Sequence, residues 1–154
     1  MIAPRLVVVS VAVLVAAACA HTLAPAALDT KNDACAFCRM IVSDERTASQ
    51  IAAPLEEPRF FDDFGCLASY LASAKVPANA VVFVADHRTR EWVRADSAIF
   101  TRLAGTAGAM GSRVVAHASA ASRDADPDLA GGTTVAVAEV LGAGHALRSE
   151  GRTP

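Results

Sequence analysis

The stretch CAFCRM, residues 35–40, sets two cysteines three apart and a methionine two residues beyond the second. Thiolates and thioethers are soft donors, and four chemistries compete for such a set. A c-type haem attachment needs histidine directly after the second cysteine, where this chain has Arg39. A structural zinc site wants four nitrogen or sulfur ligands, usually from two pairs. Here there is one pair, a lone Cys66, and histidines scattered at positions 21, 87, 117 and 145. A thioredoxin-like dithiol belongs at a helix N-terminus after a strand, where the dipole lowers the thiol pKa. This pair instead follows a polar stretch and precedes IVSDE. Cu(I) suits the set best, because soft sulfur ligands select it and two or three suffice. The alternative without metal chemistry is a plain disulfide at CAFC with Met40 in a core.

Spacing adds geometry to the motif. A turn at CAFC can bring Cys35 and Cys38 to one point, and if Cys38 opens a strand, Met40 falls on its face with Arg39 and Ile41 opposite. A helix would turn Cys38 and Met40 about 200 degrees apart. Met110 lies in AGTAGAMGSR between Gly108 and Gly111, a segment expected to be flexible and able to close over a metal like a lid. Cys66, placed on a helix face opposite Leu67 and Leu71, and His117, whose strand alternation leaves its side open, are lesser candidates for the same metal.

The leader fixes the redox setting. Arg5 precedes the apolar run LVVVSVAVLVAAA, which has the shape of a secretory h-region and ends on small residues immediately before Cys19. The expectation is a signal peptide over residues 1–18, of lipoprotein type, with Cys19 acylated as the anchor and a flexible tether running to residue 34. The chain would then face the periplasm, where cysteines tend to oxidise. Processing leaves Cys35, Cys38 and Cys66, an odd number of free thiols that speaks against a pure disulfide framework. A thioether cannot be consumed as a disulfide, so Met40 and Met110 would remain copper ligands outside the reducing cytosol.

The rest of the chain must position these residues. With 154 residues and 53% apolar content it can build one real core, and a formal charge of -2 gives no basic surface for nucleic acid. The domain is expected over residues 35–141, followed by a disordered tail over 142–154. SQIAA and PRFFDD read as a hairpin, and DDFGCLASYLASA as a helix capped by Asp62 or Asp63. AVVFVAD and EWVRAD form a second hairpin around HRTR, and SAIFTRLA reads as a short helix, so this unit loosely repeats the first. SRVVAHA alternates as a strand, SRDADPDLAGG is a weak helix or loop, and TTVAVAEVL alternates as a final strand. Hairpins each followed by a helix argue for an α+β fold with antiparallel strands.

These motifs in this order resemble the NosL family of nitrous-oxide reductase accessory proteins, copper-binding lipoproteins of the bacterial envelope. The resemblance rests on the leader ending at Cys19, CAFCRMIV, FFDDFGCLASYL, the VADH and EWVRADSAIF segments, AMGSRVVAH and the glycine pair before the last strand. It implies two small α+β modules of antiparallel strands, each with a helix. It also implies a periplasm-facing Cu(I) chaperone, not an enzyme, which delivers copper to nitrous-oxide reductase or a similar acceptor; the long tether would let it reach both that acceptor and a membrane transporter complex. By position, Cys38 and Met40 correspond to copper ligands, Cys35 to a helper and Met110 to the distal ligand. Arg39 stands where the family commonly carries glycine. From the residues alone, an envelope thiol–disulfide oxidoreductase using Cys35 and Cys38, or a structural zinc domain, stays open.

Overall fold

In a computed structural model the described residues are 23–105 and 108–142. The expected signal peptide, the acylated Cys19 and the tail beyond Gly142 lie outside them. Ser49–Ala52 (β1) and Arg59–Phe61 (β2) form the expected first hairpin, with Gln50 opposite Phe60. Val81–Ala85 (β3) and Trp92–Arg94 (β4) form the second. β1 also pairs antiparallel with β3, so the two hairpins merge into one sheet of order β2-β1-β3-β4. Between them, Phe64–Ser73 (α1) is capped by Asp63, whose carboxylate accepts the backbone N–H of Cys66. α1 buries Phe64, Cys66, Leu67 and Leu71.

The second sheet corrects the expected division of the chain. SAIFTRLA is not a helix: Ile99–Arg102 is a strand (β5), the centre of a three-stranded antiparallel sheet with Val114–His117 (β6) and Thr133–Val135 (β7). Its β-branched and aromatic run, Ile99, Phe100 and Thr101, is paired on both edges, and that ladder overrides the helical spacing of a short segment. The boundary between the two sheets therefore falls after β4. The weak helix resolves into Ala120–Asp124 (α2) and a 3-10 turn at Pro127–Leu129. TTVAVAEVL is a strand only as far as Val135, and Val137–Leu141 is a helical turn (α3) that buries Val140 and Leu141.

One core serves both sheets. Phe64 from α1 meets Phe100 from β5 edge to face, with ring centroids 5.5 Å apart. Phe61, Phe64 and Phe100 are almost completely buried, each contributing roughly 1.5–3 kcal/mol of apolar transfer free energy. Two backbone contacts tie the sheets at their ends: Asp86 bridges Ala116 in parallel, and the His87 N–H donates to the Ala116 carbonyl at 2.8 Å.

The expected tether is shorter than its sequence suggested. The side-chain amide of the fully buried Gln50 accepts from Ala26 N at 2.8 Å and donates to Ala26 O at 3.0 Å. Leu23 packs beside Ala52, Val81 and Phe83, and Ala26 and Leu28 pack on the main core. A stretch without periodicity is expected to be a tether, but a buried glutamine opposite it supplies the backbone pairing that periodicity cannot reveal.

Candidate metal centre

CAFCRM does not run into a strand at Cys38. Ala36–Cys38 form a turn, closed where Arg39 N donates to Cys35 O at 3.0 Å and Cys35 N donates to Met40 O at 2.7 Å. Ala34 bridges Ile41 just outside, so the motif is a tight loop on a two-residue stem. Closing it puts Arg39 at φ 68°, in the left-handed region that disfavours any Cβ. The shared face of Cys38 and Met40 expected from strand alternation is therefore replaced by the geometry of the loop.

The loop brings Cys35 and Cys38 together and aims them at α1. The sulfurs of Cys35, Cys38 and Cys66 all lie within 4.8 Å of one another, and all three cysteines are free thiols. Cys66, left open between site and solvent by its helical face, belongs to the core and to this cluster. Cys35 and Cys66 are buried, and Cys38 is half-buried.

Electrostatics separates the buried pair. Burial acts to raise the Cys35 pKa, but backbone N–H groups of Cys38, Asp62 and Phe37 and the Cys38 thiol all hydrogen-bond to its sulfur, and together they hold it below the ordinary thiol value. Cys66 is pushed well up, first by burial, then by donating its own proton to Cys35 and facing the charge there. The trio thus pairs a thiol biased toward ionisation with one held strongly protonated. A soft cation arriving there replaces protons, which couples binding to pH.

The methionines lie outside this interior. Met40 is 45% exposed and Met110 50% exposed, so neither fills the core. Met110 is tied to the cysteine helix by one carboxylate. Asp63 Oδ1 accepts from Cys66 N at 2.9 Å, while its Oδ2 accepts from Met110 N at 2.8 Å and from Ser112 N at 3.3 Å. Gly108 makes this possible, since a Cβ there would lie 2.4 Å from Asp63 Cβ. In the sequence Asp63 is, with Asp62, one of two candidate caps of this helix. Its grip on a loop 47 residues away had no local signal.

His117 stands apart from the thiols. It is fully buried in a second group with His87 and Asp126, whose ligand atoms also lie within 4.8 Å of one another. Burial would raise the Asp126 pKa, but hydrogen bonds from His117 and His87 outweigh it and leave the carboxylate at about 2. His87 and Asp126 were not singled out from the sequence. The one available signal is that each histidine lies at or just beyond the end of a strand in similar words, FVADH and VVAH.

Two antiparallel sheets sharing one core, with a three-sulfur cluster between a loop and a helix N-terminus, define a small α+β protein with a soft-donor centre. The NosL family model matches residues 25–143, and the chain belongs to that family. A solved structure, that of the copper chaperone NosL from Shewanella denitrificans, superimposes with a TM-score of 0.62 at 19% identity, covering 78% of this chain and 97% of that one. That likeness bears out the two-sheet α+β architecture. No curated protein matches the chain significantly.

Proposed function

We propose that this protein is a Cu(I) metallochaperone, anchored to the periplasmic side of the envelope through Cys19, that hands copper to nitrous-oxide reductase or a similar copper enzyme. The observation that carries the reading is the convergence of Cys35, Cys38 and Cys66 in a chain of the NosL family. Cu(I) accepts two or three soft ligands, and Cys35 is already biased toward thiolate. Met40 and Met110 complete the ligand set from the outside. Donors therefore grade from buried thiols to exposed thioethers, and an acceptor protein can displace the outer ones first. Ligand exchange of this kind needs no bond-making catalysis and no catalytic residue. The copper-accepting partner docks transiently, and a membrane transporter complex is the natural neighbour for a lipid-anchored chaperone. Among the described residues no helix is long and apolar enough to cross a membrane, so the attachment proposed rests on Cys19 and lipid.

A competition titration against a Cu(I) chelator tests the ligand set. Met40→Ile and Met110→Ile should each weaken binding without unfolding the chain, because both side chains are about half exposed. If both variants bind as tightly as wild type, the thioethers are not ligands. Delivery is tested separately, by following copper from the loaded chaperone into copper-free nitrous-oxide reductase.

Asp63 offers a sharper test of how the two halves are joined. Asp63→Asn keeps one oxygen to cap α1 but replaces the other acceptor with an amide that cannot receive the Met110 N–H. Cu(I) affinity should fall about 10–100-fold, the usual cost of losing an outer-sphere partner at a metal site. An unchanged affinity alongside a freed Met110 amide in hydrogen exchange would separate the loop from the copper site.

A low Cys35 pKa would also serve an envelope thiol–disulfide oxidoreductase. That reading predicts turnover of a disulfide substrate that is indifferent to Met40 and Met110. It also leaves Cys66 without a role. In thioredoxin-like enzymes the reactive pair sits at a helix N-terminus, whereas here CAFC occupies a turn and Cys66 takes the helix. A structural zinc domain would instead unfold on chelation, and metal analysis of protein isolated from its host distinguishes it.

A further inference from the structure

The cluster of His87, His117 and Asp126 is not used by the copper reading, and its geometry is that of a ligand set. Three separate segments supply it. His87 follows β3, His117 ends β6, and Asp126 caps the 3-10 turn that follows α2. The contacts that tie the sheets, Asp86 to Ala116 and His87 N to Ala116 O, bring the two histidines to the same place. Their rings stand at 67° with centroids 6.1 Å apart, so they converge on a point without stacking on each other.

That point is a single oxygen. His87 Nδ1 lies 2.7 Å and His117 Nε2 2.9 Å from Asp126 Oδ2. His117 Nδ1 is buried with no hydrogen-bond partner, so this contact is the ring's whole polar engagement. The other carboxylate oxygen is held from outside, accepting the Asp128 N–H at 2.9 Å. Such an outer bond fixes the orientation of a metal-binding carboxylate. Arg46, the nearby cation, is already paired with Asp44 at 2.9 Å and reaches Asp128 at 3.6 Å. It makes no ion pair of its own with Asp126.

We propose that His87 Nδ1, His117 Nε2 and Asp126 form a second metal site, for a borderline divalent cation of the zinc or copper(II) type. Two imidazoles and a carboxylate are nitrogen and oxygen donors, which suit such cations and not the soft Cu(I) of the thiol cluster. Binding at His87 Nδ1 and His117 Nε2 moves the proton on each of these nitrogens to the other nitrogen of the same ring, so both imidazoles stay neutral ligands and no net proton leaves them. Access exists on the His87 side. His87 lines a cavity of about 490 Å³ shared with Asp44, Asp128, Gly108, Ala109 and Arg46, and the two carboxylates, both paired with Arg46, offset its charge there. The same cavity borders the residues just before Met110, so a cation there would sit beside the loop assigned to the soft site. The proposal does not depend on copper binding at the thiols.

The test is a Zn(II) titration of the full-length protein followed by imidazole 15N NMR. Up to one equivalent beyond any taken by the thiols should move His87 Nδ1 and His117 Nε2 to metal-bound positions, and His87 Nε2 and His117 Nδ1 from lone-pair to N–H positions. In a parallel arm, Cu(II) should give an EPR spectrum split by two imidazole nitrogens, and the arm that saturates at lower free metal identifies the cation. His87→Gln, at the cavity wall, should weaken binding at least tenfold, and Asp126→Asn should do the same if it folds. If neither cation moves the ring nitrogens of the wild-type protein, the cluster is a hydrogen-bonded structural triad and the proposal is wrong.

Discussion

Replacing Cys35 with serine is expected to lower Cu(I) affinity by well over the roughly 10–100-fold that loss of an outer-sphere partner costs. Cys35 is the thiol most biased toward ionisation, with N–H groups of Phe37, Cys38 and Asp62 directed at its sulfur. Serine keeps those bonds but offers a hard oxygen that Cu(I) does not favour. Cys38→Ser should cost a comparable amount, with less risk to the fold, because Cys38 is only half-buried. Cys66 separates two roles. Its thiol lies well above the ordinary value, so recruiting it as a third ligand means removing a tightly held proton. If Cys66 is a ligand, wild-type affinity rises with pH through the neutral range and Cys66→Ser flattens that rise. If it only donates to the Cys35 thiolate, Cys66→Ser lowers affinity while the pH slope stays. Competition titrations against a chelator at several pH values distinguish these outcomes. A Cys35→Ser protein that binds Cu(I) like wild type would remove the thiol cluster from the proposed function altogether.

The parts of this fold that were legible in the sequence are those governed by local rules. Both hairpins have alternating apolar residues around turn residues, and α1 announces itself through Asp63 and the spacing of Phe64, Leu67 and Leu71. The misreadings share a cause. Ile99–Arg102 and Val137–Leu141 are four and five residues long, too short for a period of 2 to be told from one of 3.6. Which strand each hairpin adds to is likewise non-local, and the β1–β3 pairing that fuses the two hairpins leaves no mark on either.

The candidate site divides in the same way. Cys35, Cys38 and Met40 are picked out by type and spacing within six residues, although their arrangement turned out to be a closed loop with Arg39 left-handed, not a strand. Cys66 joins the cluster because α1 packs its first turn against that loop, a tertiary fact. The His87, His117 and Asp126 group depends on the bridge between sheets and was invisible as a set.

Substituting Asp86 with alanine should be the most destabilising single change outside the core. Asp86 is fully buried at the junction of the sheets. Its Oδ1 accepts from Arg88 N, Thr89 N and the Ser122 hydroxyl, and its Oδ2 accepts from Ala118 N at 2.8 Å. Alanine leaves four donors without their acceptor, each worth roughly 1–3 kcal/mol if it stays buried. Allowing for water reaching the exposed side, we expect a loss of about 3–5 kcal/mol, a large share of the ~5–15 kcal/mol that holds a domain folded. The same hydrogen bonds set the response to acid. Burial alone would raise the carboxyl pKa, but the four donors overcome it and bring the group from 3.8 down to about 2. A depressed pKa contributes stability that is fully present above the unfolded value, near 4, and is lost as pH falls through 2. That contribution is on the order of 2 kcal/mol. The difference in urea midpoint between wild type and Asp86→Asn, which keeps the shape but cannot ionise, should therefore narrow steadily from pH 4 to pH 2. A gap that stays constant across that window would mean that the charge of Asp86 contributes nothing and that only its shape matters. Because Asp86 adjoins His87 and bridges Ala116, next to His117, the same variant should also loosen the histidine cluster before the thiols feel any change.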